Sequence, residues 1–327
     1  MESLARNLPA RPSYGFVVAL AAVAVMAIPA AALMAQTPAT PFAIAESGQS
    51  FATLQQAVDA IGEGRGTVSI APGTYRQCAV QRAGEVTYLA AQPGTVTFER
   101  ETCQGKAALV LGGRAARVAG IAFRGMAVPD GNGAGIRLEG GDLTIAQSWF
   151  LDSQQGILTG DNPNGTIVID KTTFSGLGTC ENSAGCAHSI YAGDYGTVTV
   201  TRSRFEQGTG GHYLKSRASR TVVEDSSFDD SQGRATNYLI DLPNGGTGSI
   251  RGNWFVQGRD KENWSTMIAV GAEGANYSSN GLVIAGNEAR LVPGLSRNPA
   301  FVADWTGDDI VMRDNQLGSG IRAFEKR

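Results

Sequence analysis

Residues 143–174 read LTIAQSWFLDSQQGILTGDNPNGTIVIDKTTF, and one phrase occurs in them twice. Each copy has three apolar or β-branched residues (143–145 and 167–169), a short polar turn, and then a phenylalanine, Phe150 or Phe174. Short runs of this kind between Gly, Asn and Asp turns predict β-strands. A repeat of this length with no helical pattern predicts one coil of a solenoid per copy.

The phrase continues on both sides of this stretch. Its aromatic position is occupied in turn by Phe123, Phe150, Phe174, Phe205, Phe228 and Phe255. The sequence number rises by 27, 24, 31, 23 and 27 from each phenylalanine to the next, and a final copy precedes Leu317. We therefore expect one phenylalanine per coil, stacked as a ladder in the core.

The repeat resembles the right-handed parallel β-helix of pectate-lyase-like proteins over essentially the whole mature chain. The resemblance implies an all-β, single-stranded right-handed parallel β-helix, and residues 68–75 look like its first coil. Before that coil, Ser50 is expected to cap a short helix that plugs the open end of the solenoid. The apolar stripe of this capping helix would be Phe51, Leu54, Val58 and Ile61.

The first 35 residues predict an export signal. Two arginines precede the uncharged stretch 15–35, which ends in a tract rich in alanine. An uncleaved membrane anchor is the alternative, since the stretch 15–35 is just long enough to cross a bilayer. Residues 36–327 would then form one monomeric β-helix domain outside the cytoplasm, in the periplasm or the extracellular space.

Four cysteines are consistent with such a compartment. Their spacing matches no zinc pattern, so we predict two disulfides, Cys78–Cys103 and Cys180–Cys186. Stacked coils lie about 4.8 Å apart, and disulfide-bonded α-carbons about 4.4–6.8 Å apart. Cysteines in neighbouring coils can therefore be bridged.

Composition excludes several classes of protein. The chain has 43 glycines, only 17% charged residues and 42% apolar residues, which is unlike a helical bundle or a disordered protein. The net charge of −3 provides no basic surface for a phosphate backbone, so nucleic acid is not expected as a partner.

One column of residues differs from the others. Aligning the coils places residues 188–192 below residues 212–217, which lie below residues 237–241, at offsets of 24 and 25. This register stacks the chain's two histidines, His188 and His212, and puts Lys215 above Tyr191. Strand alternation then turns Tyr213, Lys215 and Arg217 outward, opposite Leu214.

These residues predict a groove that binds an anion. Candidate catalytic residues are Lys215, Arg217, His212, His188 and Tyr191. Candidate substrate-binding residues are Tyr213, Tyr238, Asn237, Trp264 and Asn263. The disulfide loop 180–186 and the insertion 258–264 are expected to wall the groove. The alternatives are a solvated face with Lys215 paired to Asp241 or Glu224, a buried histidine ladder, and simple loop packing.

On similar β-helix proteins such grooves bind acidic polysaccharides, so the resemblance implies a polysaccharide lyase. In β-elimination, Arg217 would hold the uronate carboxylate. Lys215 or a neutral histidine would take the C5 proton, and Tyr191 would act as acid, or as base without a metal. A uronate C5 epimerase would use the same groups.

Other functions remain open. A glycoside hydrolase could use Asp241 and Asp304, placed two coils apart, roughly 9.6 Å, although their parity points inward. A non-catalytic polysaccharide-binding coil is the third reading. Calcium is not supported, because the acidic residues Glu224, Asp225, Asp229 and Asp230 are expected to be solvated on another face; no cofactor is predicted.

Overall fold

The computed structural model describes residues 40–183 and 185–327, all within one compact unit, Ala39–Arg327. The chain is a right-handed parallel β-helix, with one coil per repeat as the repeat predicts and the architecture that the resemblance implies. The predicted export signal, residues 1–35, lies outside the described residues. Within the described part of the chain, no helix is long and apolar enough to cross a membrane.

Every coil contributes one strand to each of three sheets. Sheet 1 contains Ser50–Phe51, Phe42–Ile44, Arg65–Ile70, Glu85–Ala90, Ala115–Ala119, Asp142–Ala146, Asn162–Asp170, Tyr195–Thr201, Arg220–Glu224, Thr247–Arg251, Val283–Ala285 and Val311–Arg313. Sheet 2 contains Gly73–Tyr75, Val96–Glu99, Ile121–Arg124, Trp149–Leu151, Thr173–Ser175, Arg204–Glu206, Ser227–Asp229, Trp254–Gln257, Glu288–Leu291 and Gln316–Leu317. Sheet 3 contains Ala79–Gln81, Ala107–Leu111, Ala134–Leu138, Gln155–Thr159, Ile190–Ala192, Leu214–Ser216, Ile240–Leu242, Thr266–Val270, Ala300–Asp304 and Arg322–Lys326.

The phenylalanine ladder is confirmed. From Phe98 to Phe255 the residues of sheet 2 pair in register, and neighbouring ring centroids are 4.6–6.0 Å apart. All of these rings are buried. Stacked rings at this spacing add favourable aromatic contacts to the burial of apolar area, so one residue type fixes the interior of successive coils.

A second ladder lies at the turn from sheet 1 to sheet 2. The first turn residue has a positive φ, as at Arg202 (47°) and Asp225 (51°). The next residue is Ser or Asn, and its side-chain oxygen accepts a hydrogen bond from the backbone N–H at the same turn position of the preceding coil. Ser226 Oγ accepts from Ser203 N at 3.0 Å, and Asn253 Oδ1 accepts from Ser226 N at 2.9 Å. These bonds hold successive coils in one register.

The N-terminal cap differs in detail from the prediction. The helix spans Leu54–Ile61, and its N-cap is Thr53, not Ser50, which lies in a strand. Thr53 is favoured because Gln56, three positions later, completes a capping box. The apolar stripe of the helix packs on the core as expected. Leu54 and Val58 are buried, and Phe51 and Ile61 are partly buried.

The cap covers the strand edges of the first coil. Gln55 Oε1 accepts from Val80 N at 2.7 Å, and Gln55 Nε2 donates to Val80 O at 3.0 Å. The glutamine amide therefore pairs with sheet 3 as another strand would. Sheet 1 is covered by Phe42–Ile44, which pairs antiparallel with Arg65–Ile70. Both devices protect edges of the first coil that would otherwise be open.

Both predicted disulfides are confirmed. The Cα–Cα distances are 5.4 Å for Cys78–Cys103 and 4.1 Å for Cys180–Cys186. Cys78 and Cys103 lie at the turns between sheets 2 and 3 of consecutive coils. The first bridge therefore ties two coils together, and the second closes a loop within one.

We expect Gln55→Ala to lower the free energy of unfolding by about 1–3 kcal/mol, because Val80 N–H and C=O lose their partners. Urea unfolding followed by circular dichroism measures the change. Gln49→Ala, at an exposed glutamine, is the matched control. An equal effect of both substitutions would contradict the capping role.

Candidate functional site

The outer face of sheet 3 carries the predicted column. Arg137, Leu158, Tyr191, Lys215 and Asp241 are paired one above another in consecutive coils. The predicted stacking of Lys215 on Tyr191 is thus confirmed. Side chains in a column are separated by one strand spacing, about 4.8 Å, so neighbouring members can act on one ligand.

A cleft of about 470 Å³ lies over this column. The disulfide loop lines one side of it through Ser183, Gly185 and Cys186, as predicted. The insertion 258–264 does not line the cleft, which corrects the prediction. The other wall is provided by Glu273, from the segment between Thr266–Val270 and Val283–Ala285.

Two cations in the cleft converge on one carboxylate. Lys215 Nζ is ion-paired with Glu273 Oε1, and Arg217 Nη2 is ion-paired with Glu273 Oε2. Arg217 also donates from Nη1 to Asn244 Oδ1 at 2.7 Å and from Nε to Tyr191 Oη at 2.8 Å. The column therefore already binds a carboxylate, its own, between a lysine and an arginine.

The pKa of the Glu273 carboxyl is lowered. Burial acts to raise it, but the hydrogen bonds and charges of Lys215 and Arg217 outweigh that effect. Glu273 is therefore ionised at neutral pH, and its negative charge opposes the two cations. Lys215 is a buried residue, only 7% exposed, and its Nζ lies between the two carboxylates of Glu273 and Asp241.

The second of these carboxylates is Asp241, one of the two alternative partners predicted for Lys215. Its Oδ2 lies 3.2 Å from Lys215 Nζ and 3.6 Å from His212 Nε2. Burial raises the pKa of Asp241 to about 6, although the charge of Lys215 acts to lower it. A buried carboxylate beside a buried lysine fixes the position of that lysine.

The register explains why Asp241 turns outward. Lys215 pairs with Asp241, whereas Gly211 bridges Thr236. The sequence separation from Lys215 to Asp241 is one position longer than that from Gly211 to Thr236. The extra residue follows Thr236 and shifts the alternation of inward and outward side chains. The expected inward parity of Asp241 is therefore wrong. Asp304 pairs instead with Val270 in the adjacent column, so the hydrolase pair of Asp241 and Asp304 shares no column.

The two histidines stack below the cleft, and His188 lines it. His188 Nδ1 accepts from His212 N at 3.0 Å, and the two Nδ1 atoms are 3.3 Å apart. Burial and then the charge of Lys215 lower the pKa of His188 to about 3. Burial and then His188 lower the pKa of His212 well below its usual range. Both rings are neutral at pH 7.

The hydrogen bonds of His188 assign its tautomer. A neutral imidazole has one N–H donor and one acceptor nitrogen. Since Nδ1 accepts the amide proton of His212, the ring proton is on Nε2. His188 can therefore donate a hydrogen bond from Nε2, and its acceptor nitrogen is already used.

Tyr213 does not face the groove, which corrects the prediction. It is buried against Phe205, and its hydroxyl donates to Asp230 Oδ1 at 2.9 Å. Alternation fails here because the strand begins at Leu214 and Tyr213 belongs to the turn before it. Asp230 is not solvated either, since it is fully buried and ion-paired with Lys261 at 3.2 Å.

Of the two alternative partners predicted for Lys215, the structure brings only one into contact with it. Asp241 contacts Lys215, as one reading anticipated, whereas Glu224 lies in sheet 1 and accepts from Ser249 Oγ at 2.9 Å. Lys215 and Asp241 accordingly form a buried ion pair and are not part of a solvated face.

Four further candidates form a patch beside the cleft and do not line it. Tyr238 packs on His212, with 5.5 Å between ring centroids, and its hydroxyl accepts from Asn263 Nδ2 at 2.8 Å. Asn237 donates to Glu262 at 2.9 Å. Trp264 is 44% exposed, with Arg297 above its ring. Their role in binding a substrate stays a prediction.

Among the described residues, Cys180, Cys186 and Glu262 are metal-ligand residue types whose side chains lie close together. Both sulfurs belong to a disulfide, which removes them as thiolate ligands. Around the cleft, Glu273 and Asp241 are already engaged by cations. This set of donors does not resemble the carboxylate-rich sites that calcium prefers.

Comparisons with known proteins give weak similarities of structure. No family model matches, and no curated protein matches. A PL6 family alginate lyase, AlyGC, is similar with a TM-score of 0.42 and 12% identity, over 81% of this chain and 40% of that one. The Streptococcus pneumoniae surface protein and adhesin PfbA is similar with a TM-score of 0.35 and 11% identity, over 84% of this chain and 94% of that one. The chain spans less than half the length of the lyase.

The raised pKa of Asp241 predicts how stability depends on pH. The folded state takes up a proton near pH 6, whereas the unfolded state does so near pH 3.8, so stability from this group increases as the pH falls through that window. Asp241→Asn removes this proton. The urea midpoint of unfolding of the wild type should therefore increase relative to that of Asp241→Asn as the pH falls from 7 to 4. Parallel curves would show that Asp241 does not titrate in this window.

Proposed function

We propose that the protein binds an acidic, uronate-containing polysaccharide in this cleft and cleaves it by β-elimination. The supporting observation is the convergence of Lys215 and Arg217 on one carboxylate beside Tyr191. A uronate carboxylate that displaces Glu273 finds the same two cations. The two disulfides suit work in an oxidising compartment, outside the cytoplasm.

The first task of such a site is to neutralise the uronate carboxylate. The carbanion formed at C5 spreads its charge into that carboxylate, so fixed positive charges beside it stabilise the transition state. Arg217 offers a planar pair of donors and Lys215 a point charge. His188 adds a neutral donor through Nε2.

The second task is proton transfer, and the geometry favours Tyr191. Lys215 Nζ is already engaged by two carboxylates, and the acceptor nitrogen of His188 is occupied. Tyr191 lines the cleft, and its oxygen is 2.8 Å from Arg217 Nε. The guanidinium faces any negative charge on that oxygen, which suits a group that gives and receives a proton.

Tyr191 acts first as base and then as acid in the proposed step. Ionised Tyr191 removes the C5 proton, the electron pair of the C5–H bond forms the C4–C5 double bond, and the C4–O4 bond breaks. The leaving O4 takes the proton from Tyr191, which restores the phenolate. The products are an unsaturated uronate and a new chain end, and no metal is needed.

Ultraviolet absorbance tests this proposal, because the C4–C5 double bond absorbs where the intact polymer does not. We expect purified protein to produce this signal from at least one polyuronate, with and without a chelator. Tyr191→Phe should lower kcat by at least about 100-fold, in the usual range for general acid–base groups. Tyr75→Phe, at a tyrosine of the first coil, is the matched control.

The other outcomes identify the alternatives. Exchange of the C5 hydrogen with deuterated water, without absorbance, would make the protein an epimerase. Polymer binding with neither signal would make it a binding module. Absorbance that survives Tyr191→Phe unchanged would leave β-elimination standing and overturn the role of Tyr191.

Glu273 should compete with the substrate carboxylate. Glu273→Gln removes that competing charge, so we expect a lower KM for polyuronate and little change in kcat. Steady-state kinetics at low and high salt measure both constants. Glu288→Gln, at an exposed glutamate of sheet 2 outside the cleft lining, is the control. A higher KM would show that Glu273 helps to hold the substrate.

A further inference from the structure

The far end of the cleft repeats the arrangement of a lysine and an arginine around one carboxylate. Lys106 and Arg137 both contact Glu139, with Arg137 Nη2 3.4 Å from Glu139 Oε2. Burial acts to raise the pKa of Glu139, but the two cations outweigh it and the pKa is lowered. Lys106 and Arg137 both line the cleft, as Lys215 and Arg217 do.

The two cation pairs are separated by a defined length of solenoid. Arg137, Leu158, Tyr191 and Lys215 are consecutive members of the column, so Arg137 lies three strand spacings, roughly 14 Å, from Lys215. Half-buried Leu158 lies between them and offers an apolar surface. Along the cleft, a ligand therefore meets the first cation pair, then the apolar side chain of Leu158, then Tyr191, and then the second cation pair.

Two buried polar atoms at this end have no partner among the described residues. They are Arg137 Nε and Gln155 Oε1. Gln155 lines the cleft, is only 2% exposed, and donates from Nε2 to Asn132 Oδ1 at 2.8 Å. Buried polar groups are normally hydrogen-bonded. A ligand that brings both an acceptor and a donor to this place is therefore favoured.

We propose that Lys106, Arg137 and Gln155 form a second anion subsite, which takes the carboxylate and a neighbouring hydroxyl of another sugar in the same chain. This inference rests on the proposed function and extends it. The cleft then selects an oligouronate that reaches both cation pairs over a single uronate or a disaccharide. Arg137 and Lys106 determine chain-length preference and take no part in bond breaking.

Calorimetric binding of oligogalacturonates and oligomannuronates, from disaccharide to octasaccharide, tests the subsite in the Tyr191→Phe background. We expect affinity to rise steeply once the chain reaches both pairs. Arg137→Gln and Lys106→Gln should each weaken the longer ligands by about 10- to 100-fold and leave the shortest ligands unchanged. Arg117→Gln, at an exposed arginine of sheet 1, controls for net charge, and melting curves control for folding.

The outcomes separate this inference from the proposed function. Binding that depends on Lys215 but neither on chain length nor on Arg137 would overturn the subsite and leave the function standing. Absence of binding to every oligouronate would overturn both. A length dependence lost in Arg137→Gln and Lys106→Gln, but kept in Arg117→Gln, supports the subsite.

Discussion

In-register stacking of parallel coils is the constraint on which the rest of this structure depends. Because strands of one sheet lie about 4.8 Å apart, residues one coil apart in the sequence become neighbours in space. The Ser and Asn side chains at the turn from sheet 1 to sheet 2 bond each coil to the one before it. A column such as Tyr191, Lys215 and Asp241 is a direct product of that register.

This constraint explains what the sequence could predict. The phenylalanine ladder, the disulfide between consecutive coils, and the pairing of Lys215 with Tyr191 on neighbouring strands all follow from a period and from strand alternation. Each depends on residues inside a strand or at a fixed turn. There the position in the repeat determines which way a side chain points.

The errors fall where the repeat is interrupted. Tyr213 lies one position before its strand, so alternation does not apply to it. Asp241 follows a one-residue insertion, which reverses its parity relative to the preceding turn. Glu273 belongs to a long connection, and no periodic signal places it over the column.

A buried ion pair also holds the insertion 258–264 in place. The fully buried side chains of Lys261 and Asp230 tie this insertion to the core, and Tyr213 and Thr236 donate to the same aspartate. Breaking such a pair leaves an uncompensated charge and is strongly destabilising. The insertion is therefore anchored to the core, although it does not line the cleft.

The same reasoning applies to Lys215 and Arg217. Two cations held close together and largely shielded from water repel each other, and the repulsion is relieved only by negative charge. Asp241 supplies one charge from within the sheet, where it is buried. Glu273 supplies the other from a partly exposed connection, with its side chain 45% exposed. A carboxylate held in this way can be exchanged for one on a ligand without leaving the cations unpaired, so the site stays organised before, during and after binding.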